Sequence, residues 1–219
     1  VACAHAAVFQ RDVPRRGRMV ARNHDRADAR GFALCHCLRD FRARLGREPE
    51  GMWLPETAVD EETLEVLADE RIRFTVLAPQ QVAGWPPFGR PGRWRGAGGR
   101  EIALFVYDGP ASHHVAFGDA LDDPVRWEES FATMALAGDG GPTVVSIATD
   151  GETYGHHHRN GDLALASLID RVNGGTTTAF TNYATLLALS PPAYDLELVS
   201  PSAWSCPHGV GRWEEDCGC

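Results

Sequence analysis

Apolar residues recur along this chain at two spacings, one helical and one extended. Val59, Leu64, Val66 and Leu67 fall at near-helical spacing and predict a helix over 58–70. Asp60, Glu61 and Glu62 stand at its start, where negative charge suits the helix dipole. Mixed apolar and Arg positions predict a helix over 38–45, stopped by Gly46. Further helices are predicted over 124–137, 162–172 and around 183–189. Between them lie short apolar runs at 52–54, 72–77, 102–107 and 143–149, and segments 176–180 and 196–199 complete the count. Runs this short, entered and left through Gly or Pro, read as buried parallel strands. The stretch 84–99 is crowded with Gly and Pro around Trp85 and Trp94 and is predicted to be a loop. Alternation of helix and strand favours a parallel sheet, and so an α/β fold.

The 219 residues suffice for one sizeable α/β domain. No apolar stretch reaches the length of a membrane span, and nothing near Val1 resembles a signal peptide, so a cytoplasmic protein without a membrane partner is expected. The net charge of −9 hides an asymmetry, because every one of the 21 basic residues is Arg. Through Arg47 there are eleven Arg against four Asp, a balance of +7, which leaves −16 for the remainder. An acidic body excludes nucleic acid as the main partner, since phosphate binding needs clustered positive charge. Residues 1–37 read as an atypical Arg-rich segment, poorly ordered or wrongly translated, ahead of a domain over 38–219. The six cysteines, Cys3, Cys35, Cys37, Cys206, Cys217 and Cys219, cluster at the two ends and do not make a disulfide scaffold. Cys206 with His208 and the pair Cys217/Cys219 offers metal-ligand types. Cys-x-Cys is tighter than the usual zinc spacing, however, so free thiols are the favoured reading and no metal or cofactor is expected.

Two carboxylates each close a buried-strand pattern. Glu56 ends Gly51-Met52-Trp53-Leu54-Pro55-Glu56, and Asp150 follows the apolar run 143–149. On an α/β barrel, the C-terminal ends of strands are where the chemistry sits. Glu56 also reads as an ordinary helix-start acid, and Asp150-Gly151 as an ordinary turn. A turn does not account for Glu152, Tyr154 and the run His156, His157, His158 so soon after Asp150. Such a density of titratable side chains marks a site. Two acids suit retaining glycoside hydrolysis, one attacking the anomeric carbon and the other moving the proton. Trp53, Tyr154, Trp204 and Trp213 would supply flat faces for sugar rings, or else anchor the core and its loops.

The segments 51–57, 150–156 and 202–213 resemble, in order, the third, fourth and fifth sequence regions of glycoside hydrolase family 57. The resemblance runs from about residue 38 to 219 and is nearest to bacterial members described as α-amylase/α-mannosidase-like with an additional C-terminal domain. It implies a (β/α)7 TIM-like barrel, a retaining mechanism and an α-glucan or oligosaccharide substrate. It further implies Glu56 as nucleophile and Asp150 as acid/base, with Trp53, Glu152, Tyr154, His156, Trp204, His208 and Trp213 near the bound sugar. The family's opening strand ending in His-Gln-Pro has no counterpart here, so the barrel is expected to be incomplete and the chain a piece of a larger enzyme.

Two other readings compete. Asp150, Glu152 and the histidines 156–158 could ligate a divalent metal, as in deacetylases on a related barrel, in which case no nucleophilic Glu is needed. Alternatively, the aromatics could survive in a degenerate, non-catalytic sugar-binding fragment.

Overall fold

The computed structural model describes residues 23–84, 89–136, 141–176 and 178–219, with side chains from residue 34 onward except at 135 and 136. Residues 1–22 of the Arg-rich head lie outside the described residues, as do Trp85 and 138–140. The first helix, α1 (Asn23–Leu45), begins well ahead of the start expected at 38. Strand β1 (Gly51–Met52) and helix α2 (Glu61–Asp69) follow. The α2 start is fixed by Asp60, whose carboxylate accepts from Thr63 N at 2.8 Å.

Strands β1, β2 (Phe74–Leu77) and β5 (Glu101–Val106) lie parallel in one sheet, with β4 (Gly92–Arg95) at its edge, in the order β1-β2-β5-β4. The alternation of β5 splits its side chains between two cores. Ile102, Leu104 and Val106 face α1 and α2 through Leu34, Leu38, Leu64 and Leu67. Ala103, Phe105 and the following Tyr107 face the other way, against Val76, Leu186, Leu187 and the half-buried Trp53 and Trp204. Burial on both faces is what a parallel sheet requires. Beyond β5, helices α3 (Gly109–Phe117), α4 (Pro124–Leu136) and α5 (Gly161–Gly174) share a third cluster centred on Val115, Trp127 and Leu168. Helix α6 (Tyr183–Leu189) supplies Leu186 and Leu187 to the second core.

The sheet differs from expectation in two places. The Gly-rich loop contains a strand, β4 (Gly92–Arg95), antiparallel to β5 and carrying the buried Trp94. Its glycine is required: a Cβ on Gly92 would come within 2.2 Å of Leu196 Cδ1. The run 143–149 forms no strand and joins no ladder. Because β4 occupies the edge of β5 over Glu101–Leu104, only the C-terminal end of β5 is open to it. The contact made there is Asp108 N–H donating to Ser146 O at 2.7 Å. A second small sheet pairs β3 (Val82–Ala83) with β6 (Glu197–Leu198), antiparallel rather than parallel.

Candidate active site

Glu56 lies where β1 leaves the sheet. Pro55 cannot donate to a ladder, so pairing stops at Met52 and the chain turns through Pro55–Thr57. Glu56 and Thr57 both take the left-handed backbone conformation, at φ 55° and 49°. That costs a non-glycine residue about 1–2 kcal/mol, and it persists only where surrounding contacts over-determine it. The contacts come from Gln81, which is fully buried just beyond β2. Its Nε2 donates to Thr57 O at 2.8 Å and to Ser202 Oγ at 3.2 Å. Its Oε1 accepts from Thr57 Oγ1 at 2.7 Å and from Ala78 N at 2.9 Å. One amide thus ties together the end of β2, the Glu56 turn and the segment around Ser202. Gln81→Leu is expected to cost roughly 1–3 kcal/mol, because it strands buried polar partners. Urea unfolding would read this as a lower midpoint; an unchanged midpoint would mean that those groups find water instead.

Val59 and Ser202 exchange both backbone hydrogen bonds, at 2.9 and 3.0 Å. The pairing lays the C-terminal segment along the Glu56 turn, and Trp204 N–H donates to Glu56 O at 3.1 Å. Side chains then converge on the carboxylate. Trp204 Nε1 donates to Glu56 Oε2 at 2.9 Å, and Ser205 Oγ donates to the same oxygen at 2.5 Å. Arg212, on the short helix α7 (Gly211–Glu214), reaches the same oxygen at 3.5 Å and donates to Ser205 Oγ at 2.6 Å. Arg212 and Glu56 are 35% and 41% exposed, so this ion pair matters for orientation more than for stability.

Aromatic rings wall the site. Trp53 meets Trp204 edge to face, at 5.3 Å between centroids and 71° between planes. Tyr107 also meets Trp204 edge to face, at 6.3 Å, and burial pushes its phenol up. Trp213 is half exposed, with the Arg212 guanidinium over its ring at 5.6 Å.

The run 143–149 that leads to Asp150 packs against the second core. Val144 and Ala148 pack into the cluster that holds Trp53 and Trp204. Ala148 N–H donates to Ser112 Oγ at 3.0 Å, and Ser146 Oγ hydrogen-bonds the hydroxyl of the half-buried Tyr183. Asp150 is exposed and precedes the single turn Gly151–Thr153, yet its side chain makes no cap hydrogen bond there. The turn uses its carbonyl, which accepts from Thr153 N at 3.1 Å. The carboxylate is not consumed by local structure.

The remaining predicted residues separate. The backbone carbonyl of Glu152 accepts from His156 N and His157 N, both at 3.0 Å, and its carboxylate lies 3.6 Å from His157 Nε2. His156 is exposed, with its ring against His157. His158 Nε2 is 2.9 Å from Ala116 O. Tyr154 is half buried in the α3–α5 cluster, where burial pushes its phenol up although Thr149 Oγ1 hydrogen-bonds it at 3.1 Å. It anchors the loop. His208, expected at the sugar, instead places Nδ1 3.3 Å from Cys219 Sγ. It belongs to a cluster with Cys206, Cys217 and Cys219, all free thiols, whose ligand atoms lie within 4.8 Å of one another. Among the described residues, this is the group of His, Cys, Asp and Glu side chains gathered closely enough to share an ion; Asp150, Glu152 and the histidines 156–158 are not. Burial pushes the Cys206 thiol up, but hydrogen bonds from backbone N–H groups of Arg212 and His208 and from the neighbouring thiols outweigh it and bring it to about 7.

A sequence profile of glycosyl hydrolase family 57 matches residues 39–189. The chain belongs to that family. Similar solved structures agree on the fold. The 4-α-glucanotransferase from Thermococcus litoralis superposes with TM-score 0.65 at 19% identity, covering 77% of this chain and 27% of that one. An α-amylase from Thermotoga maritima gives 0.70 at 12%, covering 87% and 49%. A branching enzyme of the family 57 type from Pyrococcus horikoshii gives 0.62 at 17%, covering 84% and 44%. The family 57 chain therefore spans less than half the length of these relatives, and its partial parallel sheet corresponds to part of their (β/α)7 barrel. No curated protein sequence matches it significantly. Among the described residues, no helix is long and apolar enough to cross a membrane.

Ser205, Arg212 and Gln81 escaped the sequence reading. The first two lie inside the 202–213 motif, where position alone assigned no role. Gln81 carries no signal, since an amide in Pro79-Gln80-Gln81 reads as loop polarity.

Proposed function

We propose that this chain carries the reaction centre of an α-glucan-acting enzyme of retaining type, with Glu56 as nucleophile and Asp150 as acid/base. The observation that carries the proposal is the convergence of Trp204, Ser205 and Arg212 on a single oxygen, Glu56 Oε2. Among the described residues the hydrogen bonds to this carboxylate all fall on Oε2, which orients Oε1 to attack. In the first step the Oε1–anomeric carbon bond forms as the glycosidic bond breaks, and Asp150 gives its proton to the departing oxygen. In the second, Asp150 takes a proton from water or from an acceptor sugar hydroxyl, whose oxygen displaces Glu56. Trp53, Trp204 and Trp213 offer ring faces to the glucan. Glu152 and His156, exposed on the Asp150 loop, are assigned to its hydroxyl groups.

The names of the similar structures span hydrolysis, transfer and branching, and the glycosyl-enzyme step proposed here can lead to any of the three. Incubation with maltooligosaccharides and amylose, followed by NMR of the first-formed product, tests the reading. The α-anomer is expected. Initial release of the β-anomer would mean single displacement and would remove Glu56 from the nucleophile role.

A further inference from the structure

We infer that Cys206, His208, Cys217 and Cys219 form a site for one zinc ion that pins the loop presenting Trp204, Ser205 and Arg212 to Glu56. Metal binding here does not rest on the role proposed for Glu56.

The donor set is three thiols and an imidazole, a combination typical of structural zinc sites. The distances suit a tetrahedron. With Zn–S near about 2.3 Å and Zn–N near about 2.0–2.1 Å, sulfur–sulfur edges come to about 3.8 Å and sulfur–nitrogen edges to about 3.5 Å. Cys206 Sγ lies 3.8 Å from Cys217 Sγ and 3.6 Å from Cys219 Sγ, and His208 Nδ1 lies 3.3 Å from Cys219 Sγ. A disulfide would need the sulfurs at about 2.05 Å.

The backbone supports the same geometry. Gly218, at φ +74°, lets Cys217 and Cys219 turn toward one point despite the single residue between them. Gly209, at φ +72°, follows His208, and a Cβ there would lie 2.7 Å from Pro201 O. Four ligands from the protein leave no open position, so the ion would be structural rather than catalytic.

Position gives the site its consequence. Cys206 directly follows Ser205, and Arg212 lies between the two ligand pairs. Closing 206–219 around an ion therefore fixes Arg212 and holds the adjoining Ser205, two of the three groups that reach Glu56 Oε2.

The test is metal analysis of the full chain, purified under reducing conditions without chelator. One zinc per chain is expected, and the double substitution Cys217→Ser/Cys219→Ser should lose it. Should that variant fold poorly, the metal-stripped wild-type chain can be titrated with cobalt(II). It should develop thiolate-to-cobalt charge-transfer absorption that saturates at one ion per chain. Zinc removal should also lower the melting temperature, and re-addition should restore it. A chain that holds no zinc and shows no such cobalt absorption overturns the inference. So does zinc that survives the double substitution, or a disulfide among the three cysteines in the chain as purified.

Discussion

Glu56→Gln is expected to lower kcat/KM on α-glucans by about three orders of magnitude or more while sugar binding survives. That corresponds to about 4 kcal/mol of lost transition-state stabilisation. The substitution suits the question because an amide oxygen can still accept from Trp204 Nε1 and Ser205 Oγ, which leaves the loop docked. What it removes is the charge. Only an ionised carboxylate can form the glycosyl intermediate, so the effect should fall on kcat, with the affinity for maltooligosaccharides nearly unchanged. Wild-type turnover in this variant would make Glu56 a structural acid at the end of β1 and place the nucleophile elsewhere.

Asp150→Asn should divide substrates by leaving group. Natural glucans depart as poor leaving groups and need the proton, so their turnover should fall by about 10²–10⁴-fold. Aryl glycosides with acidic phenols need little protonation and should lose much less. The structure makes this a clean variant, because the Asp150 side chain caps nothing and the turn that follows relies on its backbone carbonyl. The fold should therefore be unaffected. Equal losses on both kinds of substrate would show that Asp150 is not the acid.

Much of the scaffold was legible in the chain because its signals are local. The α2 pattern and its acidic start placed the helix within a few residues, since Asp60 is an N-cap by side-chain chemistry alone. The apolar run of β5 declared its burial on both faces. Strand β4 was hidden because Gly92 is there for a contact with Leu196, a residue far along the chain, and read locally as a turn signal. The run 143–149 has strand composition but finds the adjacent edge of β5 already paired. Composition shows which segments can extend, not which edge is free. Around the Glu56 carboxylate, Glu56 itself was marked by a strand end and Trp204 by its motif. Gln81 became visible only once Thr57, Ala78 and Ser202 were seen around it. The cysteine pairs were visible, but their spacing concealed that Gly218 folds them together.

The reach of the contacts on Glu56 has a kinetic consequence. The Thr57–Gln81 bond spans 24 residues, whereas Trp204, Ser205 and Arg212 reach Glu56 across 148, 149 and 156. Chain closure costs about (3/2)RT ln n, so the longer closure is dearer by about 1.6 kcal/mol of entropy when nothing between has formed. The left-handed turn can therefore be held early, by neighbours that leave the ribosome soon after it. The carboxylate acquires its orientation only when the last stretch of this sequence docks. Synthesis from the N-terminus thus separates making the acid from aiming it by more than half the chain.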